Sequence, residues 1–372
     1  MIQIKKVTTK SELKAFVRFP HQLYKGNKYW VPPLDMSELS ALNRDENPAF
    51  EHCIAEYWLA YKNGETAGRI AGIINHKANE KWGKKVRFGW VDFIEDVEVA
   101  KALLHTVEAW GREHGMESIQ GPLGFNDMDK EGMLVEGFDK LPTIANIYNY
   151  PYYPAFMEEI GYQPDADWLQ FKFNASQPIP ERMERVNRMI TEKYKLKILM
   201  SGKKKDLMKY ADSLFRTLNV AFSNLYGYST LTDGEVKNII KNYLSFIDPK
   251  FVCLVIDEHD EVIGFGISMP SLSRAFQKAK GKLFPFGFIH ILKALKRTDE
   301  VDLYLTGVHP DWQNKGIHSL FFVEMNKAYI QHNVKTAVSN QQLETNTAAI
   351  SLWNSYESEL YLRRRCYAKK FG

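Results

Sequence analysis

The stretch GVHPDWQNKGIHSLFF, residues 307–322, decides how the rest of the sequence is read. It continues VDLYLTGV (301–308), whose alternation predicts a strand, and it runs into HSLFFVEMNKAYIQHN (318–333), whose periodicity predicts a helix. Between the two, Gln313 to His318 form a turn with one glycine and one lysine. A strand ending in a tight turn that opens a helix aims several backbone N–H groups at one point, with the positive helix end behind them. That arrangement suits a phosphate or pyrophosphate. The plainer reading of the same residues is a connecting loop with a solvated lysine, so the surrounding elements must decide.

At 372 residues the chain is long for one core and fits two domains. A net charge of +4 is small for that size and argues against a general nucleic-acid binder. Cys53, Cys253 and Cys366 are scattered singletons without metal-ligand spacing, and they make a poor disulfide framework. No run approaches the roughly 18 apolar residues of a spanning helix. The opening MIQIKKVTTKSEL has no apolar core of signal-peptide length. The expectation is a cytoplasmic protein in a reducing compartment.

Two halves emerge along the chain. IQIKKV reads as a strand, and EYWLAYKNGETAGRIAGIINH as two strands around Asn63-Gly64. RFGWVDFIED follows as a strand, VAKALLHTVEAWGREHG as a helix stopped at Gly115, SIQGPLGF as a strand and YYPAFMEEIGYQP as a short helix. FNASQPIPERM (173–183), with two prolines, marks the junction. The order then repeats: LKILMS a strand, two helical stretches, FVCLVIDEHDEVIGFGISMP a hairpin, VDLYLTGV a strand, a helix, KTAVSNQQ a strand, and NTAAISLWNSYESELYL (346–362) a final helix. The fold class expected is mixed α/β, as a tandem repeat of one unit. The first unit covers residues 1–175, a linker and helix 176–195, and the second unit 196–372.

Gln313-Asn314-Lys315-Gly316-Ile317-His318 resembles the Gln/Arg-x-x-Gly-x-Gly/Ala loop of the Gcn5-related N-acetyltransferase (GNAT) superfamily, and Asn346-Thr347-Ala348-Ala349 matches its Asn-x-x-Ala helix start. The resemblance implies acyl-CoA or acetyl-CoA as co-substrate, with no metal. Its pyrophosphate would lie on the 313–318 loop, and its pantetheine arm would pair with a splayed strand near Gly307 and Val308 and pass Asn346. His318 departs from the family's small residue. Leu352-Trp353-Asn354 stands where many members carry the tyrosine that protonates the leaving thiolate, leaving Tyr356, three positions on, as a substitute acid or a packing residue. The first half resembles the same unit without its phosphate loop, a degenerate GNAT-like domain. YKGNKYWVPPL, NPAF, AGRIAGIIN, LVEGFD and IYNYPYY resemble the bacterial ceramide-synthase-like (YghO-type) branch over nearly the whole chain. This implies acyl transfer to a long-chain, sphingoid-like amine.

The other candidates each have a bland and a functional reading. RAFQKAKGKLFPFGFIHILKALKR (274–297) has an apolar centre, Leu283 to Leu292, flanked by Lys278, Lys280 and Lys282 and by Lys293, Lys296 and Arg297. It reads as a packed amphipathic helix, as a lid over an acyl chain, or as a peripheral contact with the inner face of a membrane. His309, His318, Glu300 and Asp302 are the titratable groups near the reaction strand that could deprotonate an amine. Asp127, Asp129 and Glu131 lack calcium-loop spacing and read as a solvated turn. Arg363-Arg364-Arg365 reads as a charge cluster or a partner for a CoA phosphate, and Tyr148, Tyr150, Tyr152 and Tyr153 as walls of an acceptor site. The functional readings left open are a long-chain N-acyltransferase, an acetyltransferase of a small polar amine, and a catalytically silent CoA- or lipid-binding module.

Overall fold

The computed structural model describes residues 1–200, 202–243, 246–296 and 299–372. In the first half the elements are β1 (Ile2–Lys6), α1 (Lys10–Leu23), α2 (Asp35–Ala41), β2 (Cys53–Lys62), β3 (Glu65–Asn75), α3 (His76–Trp82), β4 (Lys85–Phe93), α4 (Val97–Glu113), β5 (Ser118–Gly121), β6 (Met133–Glu136), α5 (Tyr152–Glu159) and β7 (Gln163–Asn174). Then come α6 (Glu181–Lys193), β8 (Lys197–Leu199), α7 (Lys204–Lys209), α8 (Ala211–Phe222), α9 (Asp233–Tyr243), β9 (Val252–Ile256) and β10 (Val262–Pro270). The chain continues through α10 (Ser273–Ala279), α11 (Gly287–Lys296), β11 (Glu300–Val308), α12 (Ile317–Gln331), β12 (Thr336–Val338), β13 (Gln342–Leu343), α13 (Thr347–Ser351) and β14 (Ser358–Lys370).

Local chemistry explains most of these boundaries. Asn63 and Gly64 both take positive φ, 53° and 85°, as the tight turn between β2 and β3 requires. Asp96 starts α4 by accepting a hydrogen bond from the Glu98 N–H at 3.0 Å. The helix lays Leu103, Leu104 and Val107 onto the sheet, fully buried; each leucine contributes roughly 2 kcal/mol of burial. In the second half α12 plays the same part, setting Leu320, Phe321 and Met325 over the strands.

Among the described residues one sheet of 14 strands runs through both halves; twelve follow the order β1-β2-β3-β4-β5-β14-β7-β12-β11-β10-β9-β8, while β6 pairs with β14 and β13 with β7. At its centre the halves interleave: β14 lies between β5 and β7, and β7 lies between β14 and β12.

The final helix expected over 346–362 is corrected here. Helix covers only Thr347–Ser351, followed by a 3-10 turn, Leu352–Ser355. From Ser358 the chain is extended and pairs with β5, β6 and β7. Pairing on both edges outweighs the helical periodicity, and burial alternates along Arg363, Arg364 and Arg365 as a strand requires. The strand β7 had no counterpart in the sequence reading either. It and β14 are the same element in the two units, each following a short helix.

Residues 274–296 form two short helices, α10 and α11, joined by a turn; Arg297 lies outside the described residues. Among the described residues no helix is long and apolar enough to cross a membrane.

Candidate functional site

Strand β11 pairs antiparallel with β10 along its length, from Val301↔Pro270 to Val308↔Gly264. With β12 it pairs in parallel only at Glu300–Asp302↔Thr336–Val338. Past Asp302 the parallel strands part, and residues 303–308 make no ladder pair with β12. The register shifts at Ile267/Ser268, which leaves Tyr304 as an extra residue on β11. The opening is a cavity of about 520 Å³, lined on one side by Asp302 to Val308 and on the other by Asn340 to Leu343 and Asn346.

The turn predicted from sequence lies at this cavity, through Gln313, Asn314 and His318. Gln313 Nε2 donates to the Val308 carbonyl at 3.3 Å, tying the turn to the strand end. Gly316 precedes α12 at φ 81°, and a Cβ there would stand 2.5 Å from Ile190 Cδ1 of α6. The positive φ favours glycine here, whereas the Ile190 methyl sits at the end of a flexible side chain and can give way. No side chain caps α12, and none of the described hydrogen bonds engages the N–H groups of Asn314 to His318. Ile317, 1% exposed, anchors the helix start in the core. Lys315 Nζ lies 4.8 Å from the centre of the Trp312 ring, outside the cavity lining. Burial lowers the His318 pKa, which favours a neutral ring with one donor and one acceptor.

Of the residues expected to hold a cofactor, Gly307, Val308, Gln313, Asn314, His318 and Asn346 line the cavity, and Lys315, Gly316 and Ile317 shape the turn. Asn346 does two things: its Oδ1 accepts from the Ala349 N–H at 3.2 Å, capping α13, while the residue also faces the cavity. Of the candidates for catalysis, His309 and Tyr356 stand outside the lining. His309 Nδ1 accepts from the Asp311 N–H at 3.3 Å. Tyr356 follows the 3-10 turn in extended backbone rather than on a helix face, and packs on Phe173 with ring centres 5.2 Å apart. Burial pushes its phenol up to about 12.

Asp302 stands out instead. It is 4% exposed and lines the cavity; neither carboxylate oxygen makes a hydrogen bond of good geometry, and the nearby Ser271 side chain and Lys172 offset only part of the cost of burial. Burial, with repulsion from Glu300, pushes its pKa up to about 8. Asn340 Oδ1 and Gln341 Oε1, across the cavity, are buried acceptors without partners.

The loop carrying Asp127, Asp129 and Glu131, read as a solvated turn, is half-buried, and its side chains line the cavity. Asp129 Oδ2 accepts from the Phe125 N–H at 2.8 Å, and burial raises its pKa to about 6. Burial also raises Asp127 and Glu131, which repel one another. No group of three or more His, Cys, Asp or Glu among the described residues is disposed to hold a metal ion. The Arg363–Arg365 run is committed to β14: Arg363 and Arg365 each reach Asp167 at 2.8 Å, and Arg364 is buried against Gln170 and the Ile147 carbonyl. Of the four tyrosines, Tyr148 reaches a second, adjoining cavity, whereas Tyr152 and Tyr153 bond to the end of β4.

No family model matches the chain. Over 375 residues it is 28% identical to protein YghO of Escherichia coli K12, covering 97% of this chain and 93% of that one. Over 297 residues it is 30% identical to the bacterial ceramide synthase of Caulobacter vibrioides, covering 78% of this chain and 75% of that one. The tandem GNAT protein from the clavulanic acid biosynthesis pathway superposes with a TM-score of 0.57 at 10% identity, over 100% of this chain and 99% of that one. A GCN5-related N-acetyltransferase from Sphaerobacter thermophilus gives 0.55 at 12% identity, over 99% and 95%. These two structures speak for the fold, and the tandem GNAT architecture expected from sequence is the one found.

Proposed function

The chain belongs to the tandem GNAT N-acyltransferase branch that includes the bacterial ceramide synthase and YghO, and on that footing we propose that it transfers an acyl group from acyl-CoA to the nitrogen of a long-chain, sphingoid-like amine. The observation that carries the donor half is the row of unengaged N–H groups from Asn314 to His318, at the uncapped start of α12 and beside the stretch of β11 that makes no ladder pair with β12. The pyrophosphate accepts from those N–H groups, assisted by the helix dipole. The pantetheine arm runs along residues 303–308, with Asn340 Oδ1 and Gln341 Oε1 available to its amide N–H groups.

The amine reacts only as the free base. Asp302 takes the ammonium proton, a role for which a carboxylate held near neutral pKa is suited. The nitrogen then attacks the thioester carbon, the new C–N bond forms, and the oxygen takes the electron pair, stabilised by backbone N–H near Gly307 and Val308. Collapse breaks the C–S bond. The nitrogen's second proton is released as the thiolate leaves; a thiol of ordinary pKa near 8.5 departs without a dedicated acid. Positioning supplies the rest of the acceleration.

A greasy acceptor also accounts for the turn between α10 and α11. Phe284 and Phe286 are 71% and 68% exposed there, Leu292 projects beside them, and Lys278, Lys280, Lys282, Lys293 and Lys296 surround them, all exposed. Apolar residues ringed by cations suit peripheral contact with an anionic lipid surface on the cytoplasmic side.

Titration of palmitoyl-CoA and acetyl-CoA into the protein, and into Gly316→Asp, tests the donor half. Palmitoyl-CoA should bind well above acetyl-CoA, and Gly316→Asp should weaken both by about 100-fold or more, because a carboxylate beside a pyrophosphate costs several kcal/mol. Equal binding of the two thioesters would favour acetylation of a small polar amine. Binding of neither would sink the reading and leave a silent module.

A further inference from the structure

The second cavity, about 770 Å³, lies between α1 and α2 of the first half and α9 and α10 of the second. Its walls include Val31, Leu34 and Leu39 from the first half and Ile239, Phe276 and Leu283 from the second, with charged groups such as Lys14, Glu38, Arg69 and Asp92 elsewhere around it. A space of this volume takes a whole small molecule. It meets the first cavity where Met128, Asp129, Ile144, Ala145, Asn146 and Tyr304 line both. The two cavities thus share a wall; Leu283, next to Phe284, lines the second, and residues 302–308 of β11 line the first.

The junction is polar in a specific way. Asn146 is 4% exposed, and its Oδ1 accepts from the Thr143 N–H at 3.1 Å and the Thr143 hydroxyl at 2.8 Å. A backbone N–H can only donate, so this contact fixes which end of the amide is oxygen. The other end, Nδ2, is buried without a partner. An unmet buried donor is costly, and a ligand oxygen would satisfy it. The carboxylates of Asp129 and Asp302 line the same first cavity and suit an ammonium.

Resting on the acyl-transfer reading above, we infer that the second cavity is the acceptor's site: its apolar walls hold the hydrocarbon tail of an amphiphilic amine, and Asn146 donates a hydrogen bond to a hydroxyl or carbonyl oxygen carried beside the nitrogen. The tail points toward the Phe284–Phe286 turn, so an acceptor resident in a lipid surface enters from there, and the nitrogen arrives at Asp302 and the thioester. The first half thus supplies acceptor recognition, through Asn146 and Asp129, while the second supplies the donor site.

The test measures kcat/KM with palmitoyl-CoA for 2-amino-1-octadecanol, octadecylamine and 2-aminoethanol, with thermal melts to check folding. Leu283→Trp narrows the tail cavity at a partly exposed position. The preference for 2-amino-1-octadecanol over 2-aminoethanol should fall about tenfold, the worth of two buried methylenes. Equal loss on both amines would overturn the tail assignment. So would weakened palmitoyl-CoA binding, which would give the cavity to the donor's acyl chain. Asn146→Ala should bring the preference for 2-amino-1-octadecanol over octadecylamine from about tenfold, the worth of one hydrogen bond, to near unity; an unchanged preference would overturn the head assignment. If no amine is acylated although palmitoyl-CoA binds, the transfer reading fails on its own. Direct binding of 2-amino-1-octadecanol then decides the cavity: weaker binding by Leu283→Trp supports the site, and unchanged binding overturns it.

Discussion

The two units build the same strand–helix–strand motif, and they treat its open end in opposite ways. In the first, β4 pairs with β5 only at Lys85–Arg87↔Ser118–Gln120; in the second, β11 pairs with β12 only at Glu300–Asp302↔Thr336–Val338. Counting from the first pair in each, Phe93 corresponds to Val308. The Phe93 N–H donates to the Tyr153 hydroxyl at 2.8 Å, and its carbonyl accepts from Tyr152 at 2.7 Å. The start of α4 is closed by Asp96, which also pairs with Lys62. At the second site the helix start is uncapped and the strand edge opens on a cavity. A carboxylate and two phenols of the chain itself occupy in the first unit what a CoA phosphate and pantetheine would occupy in the second. In the first unit the chain's own side chains fill the corresponding end of the motif.

That contrast can be broken at graded cost. Asp302→Asn should lower kcat by about 100- to 1000-fold at neutral pH if the carboxylate is the base. The wild-type rate should climb as pH rises through about 8, and a pH–rate profile of the variant should lose that climb. Stability should move the other way. The folded-state pKa of Asp302 is raised, so its contribution is fully present below the unfolded value near 4 and is lost as pH rises through about 8. Asparagine cannot ionise, so melting curves should separate in the variant's favour between those limits, and coinciding curves at pH 9 would count against it.

Tyr153→Phe, in the filled unit, strips the Phe93 N–H of its acceptor. It should cost about 1–3 kcal/mol in denaturant unfolding, with palmitoyl-CoA affinity unchanged. Smallest is Asp96→Ala, which removes a cap and should cost about 1 kcal/mol by the same measurement. Loss of thioester binding in either variant would mean that the first unit's closed site is coupled to the second's open one.

Much of the donor site was legible because its signals are local. A glycine at positive φ, a strand before it and a helix after it fall within a few residues, and Asn346 caps its own helix. The exchange of β7 and β14 was not legible, because the partners of Ser358–Lys370 include residues 163–173, nearly two hundred positions away. Helical periodicity carried through Trp353 into that strand, and with it went the placement of Tyr356 on a helix face. DMDKE looks solvated in one dimension; only the fold half-buries it beside the cavity. Asp302 left one trace, a carboxylate inside an otherwise largely apolar run, and it shares that signal with Glu300 two places before it.

The interleaved strands also set an order of events during synthesis. The far edge of β5 is completed by Tyr367–Lys370, which leave the ribosome about 250 residues after it. At about 5–20 residues per second, that edge waits roughly 10–50 s. Vectorial folding therefore cannot finish the first unit before the second exists. A nascent chain paused at the junction would display an unpaired strand, open to a neighbouring ribosome's product, and cleavage between residues 175 and 181 would leave two fragments still threaded through each other's sheet.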